Sequence, residues 1–177
     1  MKLLLAAVLA LAAAPMLAGQ APAKKTAAIS ADMRVLVCDG DEVFLEVRAQ
    51  KGESLAALEK RVAHDPKARK AILAANPGLK QPLRRDARVR VPYRFLAAGL
   101  QRSAMRALFP KARAQAGGWA HPVSAPSGRP ESLWRIAEWY TGDGKNYRTI
   151  RAEGGLASLQ TEAGQTVLVP ARLLLPP

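Results

Sequence analysis

The strongest constraint on this chain is that it repeats itself. Gly52-Glu53-Ser54-Leu55, Ile72 and Val89-Arg90-Val91-Pro92 recur as Pro130-Glu131-Ser132-Leu133, Ile150 and Val167-Leu168-Val169-Pro170. The offset is 78 residues for these segments and 77 between Leu79 and Leu156. The one-residue slip falls in a Gly/Pro-rich turn, where a deletion is tolerated. A fixed offset of this kind means two copies of one supersecondary unit.

Each copy reads as strand, helix, helix, strand. In the first, Val43, Leu45 and Val47 alternate with Phe44, Glu46 and Arg48, the period of a strand. Ser54 is placed to cap a helix whose inward face is Leu55, Leu58 and Val62. Asp65-Pro66 stops that helix and starts another, whose inward face is Ala68, Ala71, Ile72 and Ala75. Asn76-Pro77-Gly78 ends it, and Val89 and Val91 form the return strand. In the second copy, Trp119–Val123 is the first strand and Leu133, Ile136, Ala137 and Tyr140 the helical stripe. Thr141-Gly142-Asp143-Gly144 is the turn, Tyr147 and Ile150 anchor the second helix, and Thr166–Val169 closes the unit.

Met33-Arg34-Val35-Leu36 is echoed by Met105-Arg106-Ala107-Leu108, which predicts an extra strand at the start of each unit. Asp39-Gly40 then reads as a hairpin turn. The expected fold is α+β, two small βααβ modules each with that extra strand. The expected division is a signal peptide over 1–23, a flexible linker over 24–32, repeat one over 33–93, a connector over 94–104 and repeat two over 105–175. A short helix is expected within Phe95–Ala107.

The leader reading rests on Lys2 as a basic n-region, the apolar run Leu3–Ala14, and small residues at Ala21 and Ala23. The run is too short to span a bilayer, and no later segment reaches that length. The expected location is the periplasm or the exterior, in association with the cell wall. Only 5% of residues are aromatic, and much of the 49% hydrophobic content is Ala and Leu, some of it in the leader. That supply favours two small cores over one large one. Cys38 has no second cysteine to pair with inside the chain. It reads as a semi-buried strand residue or as the source of an intermolecular disulfide.

The repeated segments resemble the LysM family of carbohydrate-binding modules, over Val43–Tyr93 and Trp119–Leu173. The sharpest match is Glu131-Ser132-Leu133-Trp134-Arg135-Ile136-Ala137 followed by Gly164-Gln165-Thr166-Val167-Leu168-Val169-Pro170. Repeat one departs at Leu58-Glu59, where the family has Ile-Ala, and repeat two has Gly154 where repeat one has Asn76. Leu108-Phe109-Pro110, Gly118-Trp119, His121 and Trp139-Tyr140-Thr141-Gly142 also resemble the paired repeats that precede the catalytic domain of some bacterial N-acetylmuramoyl-alanine amidases. The resemblance implies a wall-targeting segment or a stand-alone relative. It further implies a shallow groove for peptidoglycan or a related N-acetylglucosamine polymer. The first groove would be Gly52, Glu53, Ser54 and Leu55 facing Asn76, Pro77, Gly78 and Leu79. The second would be Glu131, Ser132 and Leu133 facing Gly154, Gly155 and Leu156. Loop N–H and C=O groups suit acetamido groups, which need partners once desolvated. The same serines also read as helix caps, and the same leucines as core. Asn76 makes repeat one the preferred site.

Catalysis is not expected. A zinc site needs several ligands, and the chain has two histidines, His64 and His121, and one cysteine. No third group stands beside Cys38 and a histidine for nucleophilic catalysis, and two small modules do not build the cleft of a paired-carboxylate glycosidase. No cofactor and no metal are expected. The net charge of +13 favours an anionic partner. Lys67, Arg69, Lys70, Lys80, Arg84, Arg85, Arg88 and Arg90 cluster in repeat one, with Arg102, Arg106, Lys111 and Arg113 in and after the connector. They read as a solvated face or as an attachment surface for peptide-stem carboxylates and other anionic envelope polymers. Nucleic acid is not expected, for want of aromatics or a recognition helix. The rival expectation is an envelope scaffold that uses the same folds for protein contact.

Overall fold

The computed structural model describes residues 23–38, 41–125 and 129–176. Nearly all of the expected leader, and the Asp39-Gly40 turn, lie outside them. The protein is α+β, with five α-helices and two small antiparallel sheets among the described residues.

The segment expected as a linker is a strand. β1 (Lys25–Ser30) pairs antiparallel with β2 (Met33–Val37) and turns Ala27 and Ile29 inward against the core. Its small residues disguise the alternation, and the Lys25 ammonium is tied to the Leu108 carbonyl at 2.7 Å. β3 (Val43–Arg48) and β4 (Arg88–Pro92) complete a sheet in the order β1-β2-β3-β4. Between β3 and β4 run α1 (Leu55–Val62) and α2 (Ala68–Ala75). Ser54 caps α1 by accepting from the Ala57 N–H, and Leu55, Leu58 and Val62 are its buried face.

A 3-10 turn, Tyr93–Phe95, leads into α3 (Ala98–Leu108). The second unit has its expected extra strand, but not at Met105–Leu108. Met105–Leu108 are the last turn of α3, with Met105 and Leu108 buried. The echo Met33 to Met105 departs from the 78-residue offset, and that offset leads instead to β5 (Arg113–Gln115). β5, β6 (Gly118–Pro122) and β7 (Thr166–Pro170) form the second sheet in that order. α4 (Leu133–Thr141) and α5 (Tyr147–Glu153) lie between β6 and β7, so both halves run strand, helix, helix, strand.

The repetition extends to single hydrogen bonds. Ala49 N–H donates to Ala87 as Val123 N–H does to Gln165, and Ala97 N–H to Val62 as Leu175 N–H does to Tyr140. The helices and last strands correspond at 78 residues, but Ala49 corresponds to Val123, 74 on. The second unit therefore carries four extra residues after its first strand.

The expectation of two separate cores is also overturned. Buried residues of both units form one cluster, bridged by Tyr93, Phe109 and α3. The Tyr93 hydroxyl donates to the Trp139 carbonyl, and the buried Gln101 amide donates back to the Tyr93 carbonyl at 3.1 Å. Apolar faces too small to seclude themselves are covered by each other and by the connecting helix.

Candidate functional site

Most of the polar side chains expected in the first groove are occupied inside the fold. Asn76 is 2% exposed. Its Nδ2 donates to the Ile72 and Arg90 carbonyls, both at 2.7 Å, and its Oδ1 accepts the Arg90 N–H at 2.9 Å. This amide staples the end of α2 to β4. It is not available to a sugar, which removes the ground for preferring repeat one. Glu53 is buried too: its carboxylate accepts Arg61 through both oxygens at 2.9 Å and the Gln50 N–H at 2.9 Å. Burial alone would raise the Glu53 pKa, but the hydrogen bonds from Arg61 and Gln50 outweigh it and hold the group below the usual carboxylate range. Ser54 caps α1 and Leu55 lies in the core. Gly52, Pro77 and Gly78 are exposed, and Leu79 packs partly against the core.

The second groove follows the same pattern. Glu131 is fully buried, and both its oxygens accept from Ser124, one from the N–H and one from the hydroxyl. Thr161 donates to its carbonyl. Ser132 caps α4 through the Arg135 N–H, and Leu133 is core. Gly154, Gly155 and Leu156 differ, because the glycines are exposed and Leu156 is half-buried. Gly155 makes its turn at φ +62°, a conformation glycine adopts without strain. Arg151 shapes the loop that follows by donating to the Leu156 and Ala157 carbonyls at 3.2 and 3.1 Å.

Next to this loop lies a surface that the sequence reading did not single out. Tyr147, Arg148, Arg151, Gly155, Leu156 and Leu159 line an open depression of about 510 Å³. The Trp134 ring packs on Tyr147 at a centroid distance of 5.9 Å and is 46% exposed, while Leu159 is 48% exposed. Arg148 stands over the Tyr147 ring at 5.8 Å. Trp134 lies so close to Gly144 that any Cβ there would meet its ring. The available signal was an aromatic at the second position of a helix, to the side of the buried stripe of Leu133, Ile136 and Ala137.

The histidines take unrelated places. The His64 ring lies 2.7 Å from the Leu96 carbonyl. His121 is fully buried, with Nδ1 3.0 Å from the Tyr140 hydroxyl and Nε2 3.8 Å from Glu131. Burial pushes the Tyr140 hydroxyl above its ordinary range, so it stays protonated beside Nδ1. Burial would likewise raise the Glu131 carboxyl, but His121 and Ser124 hold it below the usual value. Cys38 is buried. Among the described residues no group of three His, Cys, Asp or Glu side chains could hold a metal ion, and no helix is long and apolar enough to cross a membrane.

Part of the positive charge is spent internally. Arg34 and Arg88 share Glu46, and Arg69 pairs with Glu59 at 2.9 Å. Lys80 and Arg84 remain exposed on the long turn before β4. Comparison with known protein families, curated proteins and solved structures finds no match for this chain.

Proposed function

We propose that this chain is a non-catalytic binding protein for N-acetylglucosamine-containing wall glycan, built from two LysM-like βααβ units and acting in the periplasm or at the cell wall. One observation carries the reading: the open depression beside Gly155 and Leu156, lined by Tyr147, on whose ring the half-exposed Trp134 packs. Sugar rings present C–H faces that pack on aromatic rings, and a half-exposed indole supplies such a face. The exposed loop around Gly155 adds backbone groups for acetamido and hydroxyl partners. Repeat two is thus the principal site. Repeat one contributes exposed backbone at Gly52, Pro77 and Gly78, and its unspent cations add attraction to anionic envelope polymers.

The test is co-sedimentation of the purified protein with insoluble peptidoglycan at low and at moderate salt. Retention at both, lost in Trp134→Ala and kept in Lys80→Gln/Arg84→Gln, is the expected result. Retention that vanishes at moderate salt would leave charge as the whole cause, because exposed charges are screened. No sedimentation at either salt would sink the glycan reading. It would also favour the second reading, a scaffold that docks another envelope protein on the apolar exposed Trp134 and Leu159.

A further inference from the structure

A second concavity lies between α3, β6, α4 and the segment after β7. It encloses about 370 Å³, within the range of small-ligand sites. Trp119, Trp139, Met105 and Leu174 line it. Two guanidinium groups from one face of α3, Arg102 and Arg106, join this apolar lining. The Arg102 Nη1 is buried and has no hydrogen-bond partner among the described residues. A buried, unpartnered donor on a cation is costly, and an anionic acceptor would relieve that cost. Arg106 stands over the Trp119 ring at 5.8 Å, which leaves the indole fixed as a wall.

The arrangement is particular to this unit. The hydrogen-bond correspondence between the units puts Arg61 where the second has Trp139, and the Arg61 charge is taken up by Glu53. The pocket is therefore no by-product of the repeat. We propose that it is a binding site for a small anion with an aromatic or branched apolar body. The body lies between the two tryptophans, and its carboxylate or sulfonate accepts from Arg102 and Arg106. This site is separate from the glycan surface and does not depend on it.

Two fluorescent probes test it on the purified protein: 1-anilinonaphthalene-8-sulfonate, and the uncharged N-phenyl-1-naphthylamine, which shares its apolar body. The sulfonate is expected to bind with a stoichiometry of one and to quench tryptophan emission. Arg102→Gln should weaken the sulfonate by about tenfold, as loss of a charge-assisted hydrogen bond does, and change the neutral probe by less than twofold. Ala171→Trp fills the pocket from its exposed rim, without touching the core, and should weaken both probes at least tenfold. Unchanged binding of both probes to Ala171→Trp would place them elsewhere and overturn the proposal. Equal affinity of the sulfonate for Arg102→Gln and the parent protein would overturn it as well.

Discussion

Glu53 and Glu131 hold the same place in the two units, and each accepts the N–H of the residue two past the end of its first helix-flanking strand, Gln50 in one and Ser124 in the other. Their counter-groups differ. Glu53 is met by Arg61 from α1, while Glu131 faces His121 from β6. By the shared hydrogen-bond frame, His121 replaces Val47 and Trp139 replaces Arg61. Both units thus bury a carboxylate at this place, with its partner on a helix in the first and on a strand in the second. The position that Arg61 holds in the first unit is held in the second by the tryptophan that lines the second pocket.

Breaking the first of these pairs should be costly in a defined way. Arg61→Leu leaves the Glu53 carboxylate buried without its counter-charge and should destabilise the protein by about 3 kcal/mol. The double variant Arg61→Leu/Glu53→Gln should recover part of that loss. Urea midpoints for the two single variants and the double one read the coupling. Additive effects would show that the pair contributes nothing of its own.

Acid should unfold the protein through three carboxylates. Arg88 and Arg34 outweigh burial at Glu46, as Arg61 does at Glu53 and His121 with Ser124 at Glu131, so all three pKa values lie below the ordinary 4.5. A depressed folded-state pKa gives stability that is fully present above the unfolded value and lost as pH falls through the folded one. Thermal midpoints should therefore hold from pH 7 to about 5 and fall below about 4.5. Glu46→Gln should flatten that decline, and an unchanged slope would remove Glu46 from the account.

Asn76 should behave as a structural residue. Asn76→Ala removes three hydrogen bonds in a buried setting and should cost about 3 kcal/mol. Variant protein that remains folded at low temperature should still bind peptidoglycan as the parent does. A full loss of binding with unchanged stability would return Asn76 to the glycan surface.

Gly144 should set the position of Trp134. A Cβ there would collide with the Trp134 indole, so Gly144→Ala must shift the ring that packs on Tyr147. The expected stability loss is about 1 kcal/mol, with a shift in tryptophan emission and weaker glycan retention. Glycan retention equal to the parent's would separate the Trp134 face from ligand binding.

Periodicity and repetition sufficed to place most elements. The stripe Leu133, Ile136, Ala137 and Tyr140 is buried on one face of α4, and Ser54 and Ser132 cap the helices the spacing assigned to them. These features are local, set by the pitch of a helix and the reach of a hydroxyl. β1 escaped notice because Ala27 faces inward and Ala28 outward, so its two faces show little apolar contrast. The fate of Asn76, Glu53 and Glu131 depended on residues distant along the chain, and a polar residue in a loop reads the same whether it faces solvent or staples a strand. The packing of β4 on α2 turned Asn76 inward, Arg61 on α1 holds Glu53, and Ser124 with His121 holds Glu131. The same packing left Trp134 outside, where no partner in the fold covers it fully. Sequence alone determined the repeated units, because local spacing encodes them. Tertiary structure decided their fusion into one core and the two surfaces left open, because burial depends on which faces meet.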